Sequence, residues 1–215
     1  MSRDIISGVR PTRMELLKLR KRKVLAKKGH DLLEEKRDAL IMEFFKMIEE
    51  YRKHRVELEE YIKEAFETLI EAQMVIGRNG VQESSYSVTE MVDVQMNVRN
   101  IMGVRVPVIM EPPLLRGRGS RERGYGYVST SAKLDEASDG FERVLRHILR
   151  LAEEETSIRK LAQEIEKTKR RVNALENILI PRLQSTQNYI EMHLEELGRE
   201  DFFRRKRIKA LLEVC

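Results

Sequence analysis

The sequence predicts an all-α fold: a long antiparallel two-helix coiled-coil hairpin with a short central β-hairpin and a mobile loop rich in glycine and arginine. Three observations predict it. Of 215 residues, 36% are charged, 41% hydrophobic and only 6% aromatic; that much charge needs a large solvated surface, while that much apolar content excludes a disordered chain. The 11 glycines and 5 prolines are clustered, seven and three of them between residues 77 and 126, so both flanks are nearly free of helix breakers. Both flanks also carry apolar residues at alternating spacings of three and four, the seam of a coiled coil.

The first element, residues 12–76, opens at Thr12, which can cap a helix with Glu15 three residues on. Its seam runs from Leu16 and Leu19 through Leu40, Met47, Leu58 and Ala65 to Val75, and thirteen of eighteen positions are apolar. The second, residues 132–213, carries a seam from Leu134 through Val144, Leu151, Val172, Leu183 and Ile190 to Glu200, fourteen of twenty apolar. At 1.5 Å per residue these helices would reach roughly 95 and 120 Å. Each seam needs a partner and the nearest lies on the same chain, which predicts the antiparallel hairpin as one elongated domain over residues 1–215. Pro181 lies inside the second pattern; because the phase continues through Leu183 and Ile190, it predicts a bend near residue 181 and not a stop.

Between residues 77 and 130 the helical period is lost and the segment is expected to be irregular. Val92, Val94, Met96 and Val98 alternate with polar residues, as do Val104, Val106, Val108 and Met110, which predicts one β-hairpin over about residues 91–110 with its turn within residues 99–103. Residues 114–127, with Arg116, Gly117, Arg118, Gly119, Arg121, Arg123, Gly124 and Gly126, read as a mobile loop too rich in glycine and charge to pack. Lys23, Arg37, Glu155, Lys169, Glu176 and Glu200 fall on seam positions, so either opposite charges meet there or those sites face another chain.

Charge is unevenly placed. Residues 1–37 carry a net +7, residues 199–215 a net +3 and the remainder −5, which puts a positive tip at the paired termini of an antiparallel hairpin. Nothing approaches the roughly 20 apolar residues of a membrane span, and the N-terminus lacks the apolar core of a secretory signal. A cytoplasmic setting without membrane insertion is the expectation. Cys215, the one cysteine, can form no internal disulfide.

No catalytic, cofactor-binding or metal-binding residues are expected. His30, His54, His147 and His193 are far apart and three of them fall on the seams, as register-setting polar residues do. No glycine-rich phosphate loop is present, and the glutamate pairs read as solvated helix faces. Basic clusters at residues 20–23 and 204–207 raise nucleic acid, but aromatics are scarce and no groove-reading motif occurs. A structural coiled-coil adaptor and a basic nucleic-acid-binding rod remain the alternative classes.

Several segments in order resemble one family: Arg10-Pro11-Thr12-Arg13 with Leu16, Leu17 and Leu19; Gly29-His30-Asp31-Leu32-Leu33 and Arg37-Asp38-Ala39-Leu40; Ile101-Met102-Gly103-Val104-Arg105-Val106-Pro107; Arg170-Arg171-Val172-Asn173-Ala174-Leu175-Glu176; and Ile180-Pro181-Arg182-Leu183. Together they resemble the D subunits of the V-type and archaeal A-type rotary ATPases over essentially the whole chain. The resemblance implies a non-catalytic central-stalk rotor subunit, peripheral on the cytoplasmic face of the membrane, that transmits torque between a hexamer of catalytic A and regulatory B subunits and a membrane ion-translocating ring. It also implies contacts with the F subunit and with a funnel-shaped stalk subunit above the ring, and no bound nucleotide or other cofactor.

On that reading Arg10, Arg13, Lys18, Arg20, Lys21 and Lys23, with Arg199, Arg204, Arg205, Lys206 and Lys209, are the expected contacts to the hexamer sleeve. Long cationic side chains can exchange partners at each rotary step, whereas shape-locked apolar contacts would be costly to break. A second apolar stripe, Ile41, Phe45, Ile48, Ile62, Phe66, Leu69 and Ile70, widens the first helix's face; it would dock the F subunit or broaden the internal seam.

Overall fold

The computed structural model describes residue 6 and residues 8–88, 94–110, 123–126 and 130–212. It is all-α with one two-stranded sheet. Helix α1 spans Arg13–Ile76, α2 Arg78–Tyr86 and α3 Ala132–Ala174; a π-helical turn, Leu175–Leu179, leads into α4, Ile180–Leu212. Strands β1, Met96–Ile101, and β2, Val104–Ile109, pair antiparallel. The chain divides into two compact units, residues 1–39 with 165–215 and residues 40–164.

Helix α1 starts as expected from Thr12, whose Oγ1 accepts the Glu15 N–H at 3.3 Å. The reciprocal half of the capping box is not made, because the Glu15 carboxylate takes the Lys18 ammonium at 3.3 Å instead. The helix ends at Gly77, whose φ of +83° suits glycine alone. The segment expected to be irregular then opens with α2. Its residues Val81 and Ser84 turn toward Leu134 and Phe141 of α3 around one cavity, so tertiary packing supports a helix that its glycine and serines do not favour alone.

In the unit of residues 1–39 and 165–215, Leu19 packs on Leu183 and Ile190, with Leu16, Ala26 and Leu194 around them. Arg20 pairs with Glu191 and Lys23 with Gln184, so residue numbers rise along α1 as they fall along α4: the two run antiparallel. Thr186, fully buried, is satisfied on both sides. Its Oγ1 donates to the Arg182 carbonyl at 2.7 Å and accepts the Ile6 N–H at 3.1 Å.

In the unit of residues 40–164, Leu58, Ala65 and Val144 form the core with Tyr61, Ile62, Phe141 and Leu151. Tyr61 stacks on His147 with ring centres 4.5 Å apart. Small residues set the spacing further along: Ala72 and Ala137 are buried, and a Cβ built on Gly140 would lie 3.4 Å from both Cα and Cβ of Ala65.

Along α1 the expected seam is the observed one. All its positions are buried or half-buried except Val75. Along the second helical flank the reading needs correction, because Glu155, Lys169, Glu176 and Glu200 are exposed and not on the seam. In the unit of residues 40–164 the spacing from Phe141 to Val144 to His147 is three and three, and the inward positions become Glu154, Ser157 and Leu161. In the other unit they are Thr168, Val172 and Leu175. Burying Ser157 and Thr168 keeps charges at the neighbouring positions in water, which is the cheaper arrangement.

Pro181 does not stop the helix, as expected. A proline lacks the N–H for the usual bond and its ring crowds the carbonyl four residues back, here that of Asn177. The π turn lies over that carbonyl, and Ile180 donates its N–H to Leu175, five residues back. The extra residue also carries the seam from Leu175 to Leu183.

The β-hairpin turns more tightly than expected. Met102 and Gly103 alone form the turn, with φ of +51° and +87°, values that match the right-handed twist of the two strands. Met96 and Val98 belong to β1 and Val94 precedes it; Val92 lies outside the described residues.

The expected mobile loop is corrected at its end. Its residues 114–122 and 127 lie outside the described residues, but Arg123 and Tyr125 are buried. The Arg123 guanidinium pairs with Asp139, with Glu142 at 3.4 Å and with Asp135 at 3.5 Å, while the Tyr125 hydroxyl donates to Asp135 at 2.5 Å. Those three carboxylates lie on one face of α3, so the glycine-flanked segment has a prepared seat.

Candidate interaction surfaces

The eleven cations assigned to the sleeve all lie in the unit of residues 1–39 and 165–215, and all but the half-buried Lys23 are exposed. Three are engaged within their own helix. Lys18 meets Glu15 at 3.3 Å, Arg204 meets Glu200 at 3.3 Å and Arg199 meets Glu196 at 3.9 Å. Arg20 and Lys23 instead bridge to α4, with Arg20 2.7 Å from Glu191 and Lys23 bonded to the side chain of Gln184. The Arg20 hydrogen bond, helped by one from Gln187, holds the Glu191 carboxyl below the usual carboxylate range. Arg10, Arg13, Lys21, Arg205 and Lys206 make no ion pair among the described residues.

The pairing of Arg20 with Glu191 fixes how far the two helices accompany one another. Arg13, the first residue of α1, lies seven before Arg20, so its counterpart on α4 falls about seven beyond Glu191 at equal rise. Every residue from Glu195 to Leu212 is exposed. Among them are Phe202, Phe203, Ile208, Leu211 and Leu212, each more than half exposed. Phe202 and Leu211 are nine residues apart and point to opposite sides of the helix at about 100° per residue. Arginines and lysines are interleaved around the same circumference. These apolar residues were missed by a reading confined to charge, although their failure to keep the seam spacing was visible.

The stripe assigned to the F subunit is divided by the structure. Ile62 joins the core of its unit, and Leu69 faces the cavity shared with Leu134 and Phe141. Phe66 meets the Phe141 ring edge-to-face at 5.5 Å yet stays half exposed. Phe45 and Ile70 point outward, while Ile41 and Ile48 are half-buried at the flank. Met42, Val56 and Met74, not singled out from the sequence, are exposed on the same helix.

The hairpin carries a third surface. Val104 and Val106 of β2 are buried, whereas no residue of β1 is, and β1 is exposed throughout except for the half-buried Ile101. The Glu153 carboxylate of α3 accepts the Ile109 N–H at 2.8 Å and ties the hairpin down.

The histidines serve separate contacts. His54 bonds Glu154, His147 stacks on Tyr61, His193 on Tyr189, and His30 lies 3.2 Å from Asp31. No group of three or more metal-ligating side chains occurs among the described residues, and no described helix is long and apolar enough to cross a membrane.

Residues 15–210 match the family of the ATP synthase D subunit. The chain is 54% identical over 208 residues to the A-type ATP synthase D subunit of Pyrococcus furiosus, covering 97% of this chain and 96% of that one. It is 48% identical over 213 residues to the protein of the same description in Methanobrevibacter smithii, covering 99% and 91%. A relative from Methanopyrus kandleri is likewise 48% identical over 213 residues, covering 99% and 90%.

Proposed function

Because the chain belongs to the family of ATP synthase D subunits, we propose that it is the non-catalytic rotor subunit of a central stalk, transmitting torque between a hexamer of catalytic A and regulatory B subunits and a membrane ion-translocating ring. One observation carries this reading: residues 195–212 of α4 expose both apolar and cationic side chains on all sides. A helix lying on a flat partner or at a membrane surface segregates its apolar residues to one side. A helix turning inside a sleeve meets walls all round and has reason to carry contact groups all round.

The sleeve contacts divide by task on this reading. Arg20 and Lys23, tied to Glu191 and Gln184, hold α1 against α4. Arg10, Arg13, Lys21, Arg205 and Lys206, with Lys18, Arg199, Arg204 and Lys209 beside them, meet the A and B subunits. Cations on flexible stems can pass from one acceptor to the next with little loss at each step. Phe45, Phe66 and Ile70, flanked by Ile41 and Ile48, form the face offered to the F subunit, while Ile62 and Leu69 support it from within. A funnel-shaped stalk subunit would link the chain to the ring on the cytoplasmic side, and no cofactor is assigned to this chain.

The test is a charge reversal at the unpaired positions Lys21, Arg205 and Lys206, each to Glu, in the assembled complex. ATP-driven ion transport should fall at least tenfold while the isolated chain keeps its helical content. Unchanged transport would refute the sleeve assignment. Recovery of the tagged chain without ATP-hydrolysing partners would refute the rotor reading itself.

A further inference from the structure

The two edges of the β-hairpin differ, and the difference can be counted hydrogen bond by hydrogen bond. Met110 donates its N–H to the Gln95 carbonyl at 2.9 Å, which marks Gln95 and Met110 as a mutually bonded pair. Pairs alternate along an antiparallel ladder, so Asn97 with Val108, Arg99 with Val106 and Ile101 with Val104 bond each other. The backbone groups of Met96, Val98 and Asn100 on one strand, and of Arg105, Pro107 and Ile109 on the other, therefore point away from the ladder.

Two of the three outward N–H positions on the β2 edge are closed. Pro107 has no N–H to offer and the Ile109 N–H is taken by Glu153. The β1 edge is open: the N–H and carbonyl groups of Met96, Val98 and Asn100 have no partner among the described residues, and all three residues are exposed. An open edge on a two-stranded ribbon is a template for a further strand.

We propose that β1 receives an extended segment of another subunit of the assembly, apolar at alternate positions and net acidic. The apolar demand comes from Met96 and Val98, which share the outer face with Ile109 and Pro107 while Val104 and Val106 are buried on the inner face. The acidic demand comes from Arg105, exposed on that same outer face opposite Asn100 and without an ion pair among the described residues, in a hairpin whose residues 94–110 include no acidic one. Arg99, on the inner face, already borders a cavity with Glu43, Glu50, Glu153 and Glu154. A second copy of this hairpin would bring no acidic residue to β1 and so does not meet that demand. The proposal rests on membership of the assembly and not on rotation.

The test is backbone hydrogen exchange of the wild-type chain alone and in the purified complex. Exchange at Met96, Val98 and Asn100 should slow at least tenfold on assembly, while Asn97, Arg99 and Ile101, already bonded within the hairpin, change little. No slowing would overturn the proposal. So would slow exchange in the monomeric isolated chain, which would mean that the chain covers its own edge, or slowing that tracks self-association. Val98→Pro removes an outward N–H and leaves the internal ladder; it should abolish the slowing at Met96 and Asn100, whereas Val98→Thr should keep it. Retained protection at Asn97 and Arg99 reports that the hairpin has survived the proline.

Discussion

His54 of α1 addresses both oxygens of Glu154 of α3 with one ring nitrogen, Nδ1, at 2.7 and 2.9 Å. Both side chains are more than four-fifths buried, in a seam otherwise made of Leu58, Tyr61 and Leu151. Buried polar groups of this kind favour one register over its neighbours, because a slip of one turn leaves both unpaired. His54→Ala should lower stability by about 1–2 kcal/mol and Glu154→Gln by less, since an amide oxygen still accepts the bond. A double-mutant cycle in denaturant, with a coupling near 1 kcal/mol, checks it.

Arg123 is buried among three carboxylates, and hydrogen bonds with Tyr125 and Asp139 outweigh the burial that opposes its charge, so its pKa is raised. Arg123→Met should destabilise the chain by about 2 kcal/mol. That is below the usual cost of breaking a buried pair, because Asp139 is largely exposed and regains water. The midpoint of denaturant unfolding, with an unchanged m-value, is the measurement.

Burial, and then the hydrogen bond to Asp135, push the Tyr125 hydroxyl above its ordinary pKa. The folded state therefore favours the protonated phenol, and its contribution to stability is full below the unfolded pKa and lost as pH rises through the folded one. Tyr125 should contribute a late step to a tyrosinate absorbance titration. Tyr125→Phe should remove that late step.

Glu191 behaves in the opposite sense. Its carboxyl is depressed by Arg20, then by Gln187, so its contribution is present above the unfolded pKa and fades as pH falls through the folded value. Arg20→Gln should move the Glu191 midpoint up in a carboxyl-carbon NMR titration and weaken the acid dependence of thermal unfolding. An unmoved midpoint would mean that the bridge is not populated in solution.

At Ala65 the helices have no room to spare, as the Gly140 backbone lies against it. Ala65→Leu should cost about 1–3 kcal/mol by overpacking, whereas Ala65→Ser should be much milder. Thermal melts of the two variants separate a packing effect from a polarity effect.

Much of this architecture was legible in the sequence. Leu19, Leu40, Leu58, Leu183 and Ile190 fall where the three-four spacing puts them, because a long helix with few breakers has only one way to bury a stripe. Between Val144 and Leu175 apolar residues occur at both possible steps, and hydrophobicity alone cannot prefer Thr168 to Lys169. The tie is decided by which neighbour can keep a charge in water. The seat of Arg123 had a signal in Asp135, Asp139 and Glu142, spaced four and three on one helical face, but composition near the glycines obscured it. The exposed cations were readable one by one. Which of them are already tied down, as Arg20 and Lys23 are, depends on the register between two helices far apart in the chain.

The π turn at Leu175–Leu179 has a consequence for descent. A five-residue turn holds one residue more than its α-helical neighbours require, so a lineage can lose one there without breaking the run of hydrogen bonds. What changes is azimuth: everything downstream rotates by about 100°, and Leu183, Thr186 and Ile190 leave the seam together. Deletions at this point should therefore survive only with an insertion nearby. Among relatives, chain length ahead of Pro181 should be conserved more strictly than the identity of the residues that make it up.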